Sequence, residues 1–205
     1  MTEHWERARA WAGGDTGAAA ELIDAHQDRL YRFFRNKVAD PQTCSDLIQQ
    51  TFLGMLEGAG RARPDHAFTT WLLGIARNTL YAHYRKRAKR GREGVDFSTA
   101  CSNALEATSV SSIVARRREA QALVDALRDI AVDDQVLLEL RFFEGASARE
   151  IGDVLALARG SVDRRRKRAL EHLRTALLRR LEDTGISEVS DADLQRWVDE
   201  VRGRY

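Results

Sequence analysis

FFEGASAREIGDVLALARGSVDRRRKRALEHL, from Phe142 to Leu173, carries the densest local signal in the chain. Ser147 and Glu150 form S-x-x-E, the reciprocal capping box with which a helix opens. The helix it opens is short, with Ala148, Ile151, Val154 and Leu155 as its apolar face. Ala156 to Ala158 make a turn, and a second helix begins at about Arg159 or Gly160. A short helix, a tight turn and a longer basic helix describe a helix-turn-helix. On a wheel of roughly 100° per residue, Val162, Ala169, Leu173, Ala176 and Leu177 share one face. Arg164, Lys167 and Arg168 point away from it, with Asp163 and Arg165 on the flanks. Arg166 falls toward the apolar side, where its stem must pack while its head reaches water.

The outward residues of such a helix suit a DNA major groove. A guanidinium fork matches the two acceptors of guanine, and Lys or Arg neutralises phosphates. The plainer reading is a surface helix in an ordinary bundle. Chain-wide charge bears on the choice. The net charge of the 205 residues is only +2, yet it is unevenly spread. One basic cluster, RKRAKRGR, spans Arg85 to Arg92, and a second runs from Arg164 to Arg168. Two separated clusters in a near-neutral chain, each joined to a helical motif, point to two local contacts with a polyanion.

Composition places both clusters on helices. Hydrophobic residues make up 43% and charged residues 31%, with two prolines and no sustained alternating apolar run. The expected class is all-α: two small helical domains joined by a flexible linker, the second holding the helix-turn-helix. The first domain, residues 1–92, has helical patterns over Ala18 to Val38, Thr43 to Glu57 and from Phe68 onward, with Asp40-Pro41 as a break and GAGRARPDHA as a loop. The tether, residues 93–115, is rich in Ser, Thr and Ala and too poor in large apolar residues to build a core. Helices are expected over Ile113 to Ile130 and Asp133 to Phe143, the latter turning Val136, Leu137, Leu140 and Phe143 inward. The second domain spans residues 116–181.

Several function classes find no support. Cys44 and Cys101 lie in no metal-ligating array, so no metal or cofactor is expected. No triad or carboxylate pair accompanies His83, so no catalysis is expected. No apolar run approaches membrane-spanning length, and MTEHWERARAWAGGD lacks the apolar core of a signal peptide. The expected location is the cytoplasm.

Three stretches in order resemble the extracytoplasmic-function (ECF) group of sigma-70 factors of bacterial RNA polymerase. SDLIQQTFLGMLE, Ser45 to Glu57, resembles the region two helix that docks on the polymerase. FTTWLLGIARNTLYAHYRKR, Phe68 to Arg87, resembles the segment that melts and reads the minus-10 element. The helix-turn-helix resembles region four, which reads the minus-35 element. The resemblance covers about Gly14 to Leu181.

The resemblance implies a factor without covalent chemistry, whose partners are core RNA polymerase, promoter DNA and, commonly, an anti-sigma factor. It carries over Asp46, Gln49, Gln50, Phe52 and Leu53 as polymerase contacts, although Phe52 by its spacing is equally a core residue. For minus-10 DNA it implies Arg77, Asn78, Tyr81, His83, Tyr84, Arg85 and Arg87, since a single strand needs cations for its backbone and aromatic faces for its bases. The ARPDHA loop would wall a base pocket, and Trp71 reads as core. For minus-35 DNA it implies Ser147, Arg159, Ser161, Asp163, Arg164, Arg165, Lys167 and Arg168.

Departures from the family pattern are local. Ala156 stands where Gly is frequent in the turn, and Ala158 where Ser is frequent, removing an N-cap worth about 1 kcal/mol. Asp163 stands where a basic residue is common, and Arg166 where Leu is common. An Asp at a readout position favours a cytosine amino group. Residues 182–205 extend past the resemblance; Ser190 with Leu194, Trp197, Val198 and Val201 reads as one more amphipathic helix, either packed on its own domain or serving as an acidic latch. Two other classes stay open: a dimeric helix-turn-helix regulator that never enters polymerase, and a protein-interaction adaptor.

Overall fold

The computed structural model describes residues 3–62, 67–89, 113–158 and 160–202, apart from the side chains of residues 113–118, 120, 183 and 202. The tether from Gly91 to Ser112, Cys101, Arg159 and most of the ARPDHA loop lie outside the described residues. Regular structure among the described residues is helical throughout, and the chain divides into two compact units.

The first unit holds α1 (Glu3–Ala12), α2 (Thr16–Arg35), α3 (Pro41–Ala59) and α4 (Phe68–Lys89). Side chains set the starts of α2 and α3. Asp15 accepts from the Gly17 and Ala18 amides at 2.9 and 3.1 Å. Asp40 accepts from the Thr43 amide at 2.8 Å and its hydroxyl at 2.6 Å, with Pro41 in the first turn. Asp40-Pro41 therefore opens a helix as well as ending the previous pattern, because Pro costs nothing where no amide hydrogen bond is required. Leu22, Leu30, Phe34, Leu47, Met55, Leu72 and Leu80 form the core.

Helix α1 was not anticipated. Its signal is Trp5 and Ala8, three residues apart and both buried. The Trp5 ring lies 5.1 Å from Phe68 and 4.7 Å from the half-buried Trp71, which confirms Trp71 as a packing residue. Small residues allow α3 and α4 to approach. A Cβ on Gly54 would sit 3.0 Å from Ile75, and one on Gly58 would sit 3.1 Å from Trp71. Residues four apart share a helix face, so the LGMLEG stretch presents two backbone notches to a matching pair on α4.

The second unit holds α5 (Ile113–Asp129), α6 (Val132–Leu138), α8 (Ser161–Leu181), α9 (Asp191–Arg202) and the start of α7 (Ala148–Leu155), whose residues from Asp153 on group with the first unit. Helix α8 packs along α5 and against α6. Arg180 closes the far end of α8 on Asp129 with two bonds of 2.7 and 2.8 Å. The expected uninterrupted helix to Phe143 is corrected by a π turn over Glu139–Phe143. The Glu144 amide reaches the Glu139 carbonyl at 3.2 Å, five residues back. That extra residue per turn shifts the phase: Leu138 and Leu140 are buried, whereas Phe143 is only half-buried.

The C-terminal segment packs on its own domain. Ser190 and Asp193 form the capping exchange: the Ser190 amide and hydroxyl donate to the Asp193 carboxylate at 3.1 and 2.6 Å, and the Asp193 amide returns to the hydroxyl at 3.2 Å. Leu194, Trp197, Val198 and Val201 are all buried, and α9 lies against α5 and the π turn. The Trp197 indole donates to Glu119 at 2.8 Å, satisfying its one polar atom.

Candidate nucleic-acid and protein interfaces

The helix-turn-helix forms as its sequence indicates. The Ser147 amide and hydroxyl donate to Glu150 at 2.9 and 2.7 Å, and the Glu150 amide donates back at 3.3 Å. Ser147 is exposed but is thereby engaged as the cap of α7. At the other end the Leu157 amide bonds the Gly152 carbonyl at 2.8 Å, the long closure of a Schellman motif. That motif needs a left-handed residue, and Ala156 supplies it at φ +53. The family's frequent Gly there thus has a conformational cause.

Helix α8 starts one residue later than expected. Its N-cap is Gly160, at φ +85 and without a side-chain bond, so Ala158 is not the cap position. The N-terminal amides of α8 carry no side-chain cap, a feature compatible with an anion.

Along α8 the five basic residues separate by environment. Arg164, Lys167 and Arg168 are exposed, as is Asp163 beside them. Ser161 and Arg166 are half-buried, and Arg166 reaches Asp163 at 3.6 Å. Arg165 departs most from the wheel reading. Its Nε donates to Asp134 of α6 at 2.8 Å and its terminal nitrogen lies 3.8 Å from Asp133. Sequence reasoning missed Asp134; the two acidic residues in the first turn of α6 were the available signal.

On α4 the Arg77 guanidinium lies over the half-buried Tyr81 ring at 4.8 Å. Asn78, Arg85 and Arg87 are exposed. Arg77, Tyr81 and Arg85 recur every four residues, so they make one cationic stripe with an aromatic at its centre. Tyr84 does not join them. It is 3% exposed, and its hydroxyl donates to the Lys37 carbonyl at 2.6 Å. The expectation of a base-stacking role for Tyr84 is therefore corrected: its ring belongs to the core. His83 is half-buried in an open groove with Asp40, Asp46, Gln50, Lys86 and Arg87. Burial, and then the Arg87 and Lys86 charges, lower its pKa.

Helix α3 carries a polar face that borders the same groove through Asp46 and Gln50. Asp46, Gln49, Gln50 and Leu53 are exposed, and Asp46 accepts from Gln42 at 3.0 Å. Leu53 is 59% exposed, a large apolar residue set in a polar stripe. Phe52 is 7% exposed and packs 5.8 Å from Trp11, so of the two readings the core one holds.

Among the described residues no three His, Cys, Asp or Glu side chains are grouped to hold a metal ion, and no helix is long and apolar enough to cross a membrane.

The chain is similar to known proteins over both units. The model of Sigma-70 region 2 matches residues 22–90, and that of Sigma-70, region 4 matches residues 132–175. The chain is 30% identical over 174 residues to the ECF RNA polymerase sigma factor BldN of Streptomyces coelicolor, spanning 84% of this chain but only 64% of BldN. It is 30% identical over 171 residues to the RNA polymerase sigma-H factor of Pseudomonas aeruginosa, spanning 80% of this chain and 88% of that one. Among solved structures it shares the fold of CnrH, determined in complex with the cytosolic domain of CnrY, at a TM-score of 0.58 and 24% identity over 90% of this chain and 99% of that one.

Proposed function

The chain belongs to the extracytoplasmic-function group of sigma-70 RNA polymerase sigma factors, and from that premise we propose that it binds core RNA polymerase and directs it to promoters. In this reading α8 engages minus-35 DNA and α4 opens and holds the minus-10 strand. The observation that carries it is the presence, in one chain, of both region matches, each bearing an exposed basic helix. A dimeric regulator needs the second and leaves the Arg77–Tyr81–Arg85 stripe without a task.

The steps assign to residues as follows. Asp46, Gln49, Gln50 and Leu53 present the polymerase-docking face, where a solvent-facing Leu gains by being covered. Asp163, Arg164, Lys167 and Arg168, together with Ser147, Arg159 and Ser161, engage the minus-35 duplex. After strand separation, Tyr81 offers a ring for base stacking while Arg77, Asn78, His83, Arg85 and Arg87 follow the backbone. No covalent step is involved. The factor works in the cytoplasm, with an anti-sigma factor as its restraining partner.

Selection from a pool of random duplexes, by core polymerase mixed with this chain, tests the reading. Two sequence blocks at fixed separation are expected. Blocks recovered by the chain alone, and no better with polymerase, would favour the regulator instead.

A further inference from the structure

We propose that Arg165 is a positioning residue that sets the rotation of α8 through Asp134 and makes no contact with DNA. The inference rests on the minus-35 reading and deepens it, dividing readers of DNA from the residue that aims them.

Asp134 lies in the first turn of α6 and is 2% exposed. One carboxylate oxygen accepts from Arg165 Nε at 2.8 Å, and the other lies 3.4 Å from His172 Nδ1. Asp133 adds a second carboxylate 3.8 Å from the same guanidinium. Arg165 and His172 are seven residues apart, two turns along α8 on one face. A single buried carboxylate therefore grips α8 at two levels, fixing its rotation and its height against α6. Rotating α8 by one residue, roughly 100°, would exchange the residues turned outward.

The charge balance also opposes a DNA role. To reach a phosphate, Arg165 must leave a nearly inaccessible carboxylate without its guanidinium. Breaking such a buried pair costs roughly several hundredfold in the folding equilibrium, more than one phosphate contact returns. Arg164, Lys167 and Arg168 carry no such commitment: they are exposed and make no ion pair among the described residues. Nothing in RRRKR distinguishes the second Arg; the difference lies on another helix.

The test compares wild type with three variants, each assembled with core polymerase on a promoter duplex selected from a random pool. The quantity read is the slope of log binding constant against log salt. Arg168→Met removes a phosphate contact and flattens the slope by about one. Arg165→Met combined with Asp134→Leu removes both charges without stranding a buried carboxylate, and keeps the wild-type slope. Asp134→Asn releases Arg165 toward the DNA yet weakens binding severalfold, because α8 loses its anchor. A double variant whose slope flattens like that of Arg168→Met, or tighter binding by Asp134→Asn, overturns the proposal. Urea unfolding of the chain alone is independent of polymerase: Arg165→Met is less stable than both wild type and the double variant. An Arg165→Met chain as stable as wild type removes the anchor and the proposal with it. Failure of wild type to recruit polymerase to any selected duplex counts against the sigma reading, and the unfolding comparison still decides the role of Arg165.

Discussion

The Tyr84 hydroxyl donates to the backbone carbonyl of Lys37, 47 residues earlier, across 2.6 Å. This bond ties the C-terminal half of α4 to the end of α2 and holds the Tyr84 ring in the core, whereas the Tyr81 ring lies half-buried beneath the Arg77 guanidinium. Tyr84→Phe removes the hydroxyl's bond to the Lys37 carbonyl and lowers stability by about 1 kcal/mol, with promoter opening unchanged. Tyr81→Ala does the reverse: opening falls about tenfold or more, as expected for loss of one stacked base, and stability barely moves. Thermal unfolding and open-complex yield, measured on both variants, separate the two roles. Equal loss of opening in both contradicts the assignment.

Ala156 holds φ +53 with a Cβ that the left-handed region disfavours. Ala156→Gly relieves that strain and gives back part of it as entropy in the unfolded chain. The net gain is about 0.5–1 kcal/mol, read as a higher urea midpoint. A lower midpoint shows that the turn is not strained at this residue.

His26 is 2% exposed, its ring 4.8 Å from that of His4 and 5.2 Å from Phe68. Neither of its nitrogens has a hydrogen-bond partner among the described residues. Burial first, then the His4 and Arg29 charges, lowers its pKa to about 4. Because the folded value lies below the unfolded one, the unfolded chain takes the proton first as pH falls. The neutral ring's contribution is complete above about pH 6.5 and is lost as pH falls toward 4. Linkage gives a loss of about 2 kcal/mol between pH 7.5 and pH 5. His26→Leu flattens this acid limb; an acid limb unchanged in the variant assigns the pH dependence elsewhere.

Asp163 stands exposed beside Arg164, Lys167 and Arg168 on the outward side of α8. A carboxylate is repelled by phosphate and accepts from the cytosine amino group. Asp163→Ala is expected to relax the preference at one base pair of the minus-35 block by about 1–3 kcal/mol. Selection from random duplexes with both proteins reads this directly, and identical preferred sequences contradict it.

Trp197 anchors α9, with its ring buried and its indole bonded to Glu119. Trp197→Ala costs about 3–5 kcal/mol in the second unit. Under a packing role, promoter affinity per folded molecule stays constant. Affinity that rises on removing α9, with the remaining fold intact, restores the latch.

What was legible in the sequence follows from how local each cause is. The capping boxes at Ser147 and Ser190 and the apolar periods of α2, α4 and α8 are written within a few residues of where they act. The packing role of Trp71 is legible from its spacing, whereas spacing leaves Phe52 open between the core and the polymerase face. Cross-helix facts were not legible. Tyr84 and Tyr81 are both aromatic on a basic helix, and only the Lys37 carbonyl, just past the end of α2, distinguishes them. Arg165 and Arg164 are adjacent, and only Asp134 on α6 separates them. The π turn at Glu139 was hidden because one inserted residue leaves composition unchanged while shifting phase. Helix α1 has no cap signal in the sequence, and only Trp5 and Ala8 mark its buried side.

The central claim is that this chain enters polymerase and initiates transcription at a promoter it specifies. Run-off transcription with purified core polymerase, on a duplex recovered by random-pool selection, tests it most directly. A transcript of defined start is expected only when the chain is added, and its yield falls about tenfold or more with Tyr81→Ala. Specific duplex binding by the chain with no transcript at any concentration of core polymerase would contradict it.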